Sequence, residues 1–299
     1  MSGFFGRLGR VALFELRGAL RSRRALVMAL LFVAIESLVM YGTISAFAAM
    51  EREVLSALRL PPAPEPCSVT TTLWKSQPFL RIVRHAVGDS LVFADLVGRH
   101  PVALAYALFL FQIAPILTLV SSASRIAEDC ASGAARYWLV RVTRTEWTLG
   151  KFFGEAMLLA FALLVGALTA WGVAIFRLPG GTALPLLPDL VDWSARAWLY
   201  AFGWLGIFMG VSHIARSGGK ALALAILAFI GAVAWPSMLS NFADVVPGLD
   251  HLDVLVPKSA LSLLWRRSAD ALALGAVQLS AVSFFFLSLG SAAFRRRDV

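Results

Sequence analysis

VALAYALFLFQIAPILTLVSSAS, residues 102–124, runs for 23 residues without a charged side chain. An α-helix needs about 20 predominantly apolar residues to cross the ~30 Å hydrocarbon layer of a bilayer. The run does not alternate apolar and polar residues as a membrane β-strand does. Gln112 and Pro115 lie inside it. Five further runs share this pattern: residues 25–50, broken by Glu36; 152–176; 197–215, short and dotted with glycines; 221–240; and 271–294. In lipid every backbone N–H and C=O must be satisfied within the protein. The expected architecture is therefore all-α: six transmembrane helices in a single transmembrane domain spanning 1–299.

Composition supports the bilayer as solvent. The chain is 59% hydrophobic and 15% charged, with a mean hydropathy of +0.76. Soluble domains carry about 25% charged residues. The formal charge is +9, which in a soluble protein would suggest nucleic acid, but no nucleic-acid motif accompanies it. About 16 of the 27 Lys and Arg residues fall before the first run, in the second and fourth connections and in the tail, as the positive-inside rule expects. That asymmetry predicts cytoplasmic termini. Trp171, Trp193, Trp198 and Trp235 are expected at outer span ends, where indole rings favour the headgroup level.

Cys67 and Cys130 fall on opposite sides of this topology, so no disulfide is expected. No CxxC or Cys/His cluster indicates a metal. None of the four histidines forms an HExxH or HxxxH pattern. Ala46-Phe47-Ala48 imitates a signal-peptidase site, but the preceding apolar run exceeds the usual 7–15 residues of a signal peptide.

Three segments lie outside the spans. Within residues 1–24, helical periodicity places Phe4, Phe5, Leu8, Val11, Ala12, Leu16 and Ala19 on one face, with Arg7, Arg10, Arg17 and Arg21 opposite. Such a helix lies in the membrane interface, either as an elbow bracing the spans or as a plain anchor. The outer loop 51–101 opens on a proline-rich spacer at 60–66. Its half at 79–99, mixing apolar and charged residues, suits the membrane surface. The last connection, 241–270, is either a re-entrant segment or a surface loop.

The second connection, 125–151, reads RIAEDCASGAARYWLVRVTRTEWTLGK. Its pattern is a polar helix, a turn and the start of the next span. Glu128 and Asp129 come early and Arg136 late, which suits the helix dipole. On physics alone it is either a docking surface for a cytoplasmic partner or a basic loop that holds topology.

Here the chain resembles the type-2 ABC exporter permeases. In that family acidic residues and a glycine precede a Val-Ser-Arg-x-Glu-x-x-x-Gly-Lys run entering the third span. The corresponding residues are Glu128-Asp129, Gly133-Ala134 and the run from Val142 to Lys151, which keeps Arg144, Glu146, Gly150 and Lys151. The six-span plan and the amphipathic elbow are similar too. The chain departs at Arg141, where many members have proline, and at Ala134, where many have threonine.

The resemblance implies a permease subunit in the bacterial inner membrane, paired with a second permease chain as homodimer or heterodimer. Two copies of a separate ABC ATPase would bind below, each receiving the 125–151 coupling segment. Glu128, Asp129, Gly133, Arg136, Arg144, Glu146 and Lys151 are the implied coupling residues. No cofactor is expected in this chain, ATP being held by the partner. Gly150-Lys151-Phe152 and Gly219-Lys220-Ala221 lack the remainder of a phosphate-binding loop, so the chain is not expected to be an enzyme. Glu36 and Gln112 are candidates for a translocation path, because ionisable and polar groups at membrane depth are expensive; interhelical hydrogen bonding is the alternative. Other readings are a membrane scaffold, a motility or enzyme-maturation component, or an ion channel.

Overall fold

The structure, a computed structural model, describes residues 2–61, 63, 66–74, 76, 95–96, 99–178, 180–243 and 249–295. Most of the segment expected on the membrane surface, 79–99, lies outside them. The described chain is helical, without strands. We label the helices α1 (Ser2–Arg21), α2 (Arg23–Ala57), α3 (Ser68–Trp74), α4 (Pro101–Ser122), α5 (Arg125–Ala131), α6 (Ala134–Leu139), α7 (Arg144–Arg177), α8 (Leu186–Ile214), α9 (Gly218–Ala243), α10 (Leu261–Trp265) and α11 (Ala269–Arg295). Six are long and apolar enough to cross a membrane: α2, α4, α7, α8, α9 and α11.

Most of the spans are longer than their apolar runs. α2 continues to Ala57, and its Glu51 carboxylate accepts from the backbone N–H of Cys67, at 2.8 Å, and of Thr70. α8 starts at Leu186, eleven residues before the expected start at 197. The added stretch carries Asp189, Asp192 and Arg196, charges costly in lipid, and the fold pairs them. Arg99 pairs with both Asp189 and Asp192, the latter at 2.5 Å. Arg196 pairs with Asp192 at 3.1 Å and donates to the carbonyl oxygens of Leu264 and Arg266.

This shift relocates two tryptophans. Trp193 is buried rather than at a headgroup, with the Arg99 and Arg196 guanidinium groups over its ring at 5.3 and 5.2 Å. Trp198 lies well inside α8 and donates to the Ala156 carbonyl of α7 at 2.8 Å.

α8 is the central helix, packing on α4, α7 and α11. Its glycines explain the closest approach. A Cβ built on Gly206 would lie 2.1 Å from the Ser283 carbonyl oxygen of α11, and one on Gly210 would lie 2.4 Å from that of Phe286. Small residues let two backbones touch where lipid provides no hydrophobic drive for association. Ser283 Oγ adds a hydrogen bond to the Phe202 carbonyl at 2.8 Å.

The described part of the last connection folds back into the bundle. Two 3₁₀ segments, Leu249–Leu255 and Pro257–Ala260, precede α10. Pro257 packs against Gly203 in the middle of α8, while Ala260 and Leu264 are fully buried. Irregular backbone at that depth is tolerated because protein surrounds it. Gln278 donates to Ser259 Oγ at 2.7 Å and holds the segment from α11.

Two pairs of measurements test this packing. Gly206→Ala should lower the thermal unfolding midpoint in detergent, at a cost of about 1–3 kcal/mol for overpacking, whereas Gly231→Ala, with nothing within 4 Å of its Cβ position, should be neutral or slightly stabilising. Cys67 is 2% exposed, and burial, reinforced by the Glu51 carboxylate, pushes its thiol up to about 11. Only the thiolate reacts, so a maleimide at pH 7.5 should label the part-exposed Cys130 and spare Cys67, whose labelling should rise as the pH approaches 11.

Candidate functional site

The end of α4, the start of α7, the end of α8, the start of α9 and the end of α11 meet on one face, which also carries α1. This is the face rich in basic residues. The 125–151 segment forms a bracket across it. α5 leaves α4 after a two-residue break at Ala123 and Ser124. Gly133, with φ of 77°, reverses the chain in the left-handed region that glycine enters without penalty. α6 follows, and a short turn leads into α7.

The start of α7 is a capping box. Glu146 N–H donates to Thr143 Oγ1 at 3.3 Å, and Thr143 N–H donates to Glu146 Oε2 at 2.8 Å. The Thr-Arg-Thr-Glu sequence is thus the [ST]-x-x-E signature of a helix N-terminus. Glu146 is buried, and its other oxygen accepts from Arg7 of α1 at 2.9 Å. Arg144 reaches across to α11, donating to the Phe294 and Arg295 carbonyls at 2.8 and 3.1 Å. It caps that helix's C-terminal carbonyls, with its guanidinium 5.2 Å from the Phe294 ring.

Lys151 lies one turn further along α7, 5% exposed. Its Nζ is 2.7 Å from Glu15 of α1 and 2.5 Å from Asp129 of α5. The ammonium therefore joins three elements that are distant in sequence. Arg125 sits 3.8 Å from the Glu155 carboxylate of α7. Ser212 Oγ accepts from the Ala127 N–H at 3.2 Å and ties α5 to α8. Alongside, His213 Nδ1 lies 2.8 Å from the Met209 carbonyl and Nε2 lies 3.1 Å from Thr148 Oγ1, so the imidazole is engaged in structure.

α1 is docked rather than simply laid on the surface. Val11 fits against Gly150, and Ala12 and Glu15 against Gly154; a Cβ on Gly154 would lie 3.0 Å from the Ala12 carbonyl. The expected apolar stripe splits in two. Val11, Ala12 and Ala19 are buried in the bundle, while Phe5 remains exposed, as do Leu13 and Phe14 beside the stripe. Arg7 belongs to the docked side, through Glu146, and not to the opposite face with Arg10 and Arg17.

The expected coupling residues thus separate into two groups. Asp129, Arg144, Glu146 and Lys151 fasten the bracket from within, and Gly133 shapes its turn. Glu128 packs against Gly218 at the start of α9 and is exposed on its outer side, as is Arg136. Two residues not singled out from the sequence are the most prominent: Tyr137 is 66% exposed and Val140 86% exposed. Arg141 stacks on Tyr137 at 4.9 Å. This exposure lies between Arg136 and Arg141. The sequence holds no periodic signal for it, because α6 is less than two turns long. A cleft of about 370 Å³ lies between α1 and the bracket, with Glu15, Glu128, Asp129, Arg125 and Lys151 among its lining.

The two path candidates are not brought together. Glu36 is fully buried beside Phe32 and Gly166, its carboxylate oxygens without a hydrogen-bond partner among the described residues. Gln112 lies on the exposed side of α4. No group of three or more potential metal ligands occurs among the described residues.

Fold and site define a multi-pass helical membrane component with the 125–151 bracket fastened across one face. The model of the ABC-2 family transporter proteins matches residues 10–299, and the chain belongs to that family: it is a transmembrane permease component of an ABC transport system. No curated protein matches it.

Two substitutions probe the mounting. Thr143→Ala removes the cap and should cost about 1 kcal/mol in unfolding experiments. Gly154→Leu should push α1 off α7, visible as faster tryptic cleavage at Arg10 and Arg17 with the six spans intact.

Proposed function

We propose that this chain is the permease subunit of an ABC exporter in the bacterial inner membrane, with both termini and the bracket in the cytoplasm. Two permease chains pair, and each bracket seats in a cleft on one of two separate ATPase subunits, which alone bind ATP. The observation that carries this reading is the exposed Tyr137–Val140 tip on a segment fastened to three spans. A displacement applied at the tip reaches α8 through Ser212, α7 through Lys151 and α11 through Arg144. It reaches α1 through Glu15. Flexible loops transmit little force; a bracket with charged and backbone ties at each corner transmits most of it. Arg136 and Arg141 beside the tip, with Glu128 on α5, supply the polar rim that surrounds an apolar interface centre.

Purification in mild detergent, with identification of co-purifying chains and an ATPase assay, tests the reading. A stoichiometric ATPase should accompany the wild-type chain. Val140→Asp should weaken that association by about thirtyfold, the scale of a central interface residue. Glu128→Lys should reduce transport more than membrane insertion. A chain that is stable in several detergents and lipid discs but never accompanied by a nucleotide-binding partner would contradict the reading. Equal loss of transport and insertion in Glu128→Lys would count against the bracket's role.

A further inference from the structure

A cavity of about 330 Å³ opens on the membrane side of the bundle, between the first halves of α2 and α7 and the end of α4. Its walls are apolar: Leu26 and Phe32 from α2, Leu117 and Val120 from α4, Leu159 and Ala162 from α7. The size is that of a ligand pocket. All six wall residues lie in membrane spans, so hydrocarbon rather than water meets the opening.

At the basic-face end of the groove the lining changes character. Ser121 and Arg125 form the mouth, and Arg125 is the one charged residue lining it among the described residues. Its Nε is engaged, donating to the Ser121 carbonyl at 3.1 Å with Glu155 3.8 Å away. Neither terminal Nη donates to a protein acceptor among the described residues. The guanidinium is thus oriented by its Nε, about one-third exposed, with two amino groups to offer at the headgroup level. Three further acids line the cleft on the far side of Arg125: Glu15 and Asp129, both held by Lys151 at 2.7 and 2.5 Å, and Glu128, which packs against Gly218. Arg21 and Arg23, exposed at the corner between α1 and α2, add positive charge to the same layer.

We propose that this groove is a binding site for an anionic phospholipid, one acyl chain lying between α2, α4 and α7 and the phosphate held by Arg125. Guanidinium matches phosphate through paired N–H donors, and an apolar slot ending in a cation reproduces the polarity profile of a lipid. The site does not depend on the transport reading, because its ligand is a component of the membrane itself. Arg125 is also the first residue of α5 and lines the cleft on the other side.

Native mass spectrometry of the full chain, released from mixed micelles containing phosphatidylglycerol and phosphatidylcholine in equal amounts, tests this. Wild type should retain phosphatidylglycerol over phosphatidylcholine by about fivefold, the worth of one basic residue near an anionic lipid. Arg125→Gln combined with Glu155→Gln, which leaves no buried carboxylate alone, should abolish the preference. Ala162→Trp should fill the slot and remove the bound lipid, while Leu168→Trp on an exposed part of the same helix should not. Equal retention of the two lipids by wild type would overturn the proposal, as would a preference surviving the double substitution. A change in the monomer–dimer ratio in Ala162→Trp without lipid loss would assign the groove to a second copy of the chain instead.

Discussion

One buried ammonium holds the basic face together. Lys151 is placed by the first turns of α7 where water is scarce, and its charge has to be met there. Glu15 and Asp129 meet it from opposite sides, and in doing so they bring α1 and α5 onto α7. Removing one partner from a buried ion pair leaves an uncompensated charge and is far more destabilising than the pair is stabilising. The three elements are therefore bound to one another by what separation would cost. The surrounding features follow from that fixed point: glycines at 150 and 154 let α1 approach, the Thr143–Glu146 box starts the helix in register, and Arg144 extends the tie to α11.

A second constraint governs the spans. Apolar side chains gain nothing by leaving lipid for one another, so contact depends on close packing and on polar groups that have no other partner. α8 and α11 meet through bare backbone at Gly206 and Gly210. On the opposite face, Arg99, Asp189, Asp192 and Arg196 neutralise one another around Trp193. The bundle is thus locked by backbone contact at its centre and by charge at both ends.

Much of this was legible in the residues. Run length and the absence of alternation identify six helices, and the charge asymmetry separates the two faces. The start of α8 was not legible, because Asp189, Asp192 and Arg196 count against lipid until Arg99, some 90 residues away, is known to reach them. In the 125–151 segment the resemblance singled out Glu128, Asp129, Gly133, Arg136, Arg144, Glu146 and Lys151, but the partners that Glu146 and Lys151 find on α1 could not be read from it. The pattern of apolar runs does not report the Thr143–Glu146 capping box or the close approach of α1 at Gly150 and Gly154. The exposure of Tyr137 and Val140 had no sequence signal, since it depends on where the tertiary fold leaves α6 uncovered.

The account makes α1 and the bracket one mechanical unit fastened through Lys151. Hydrogen exchange read by mass spectrometry, comparing wild type with Lys151→Met, tests that most directly. Peptides from residues 2–21 and 125–139 should lose protection together while peptides from α8 and α11 keep theirs. Loss confined to one of the two segments, or unchanged protection in both, would contradict it.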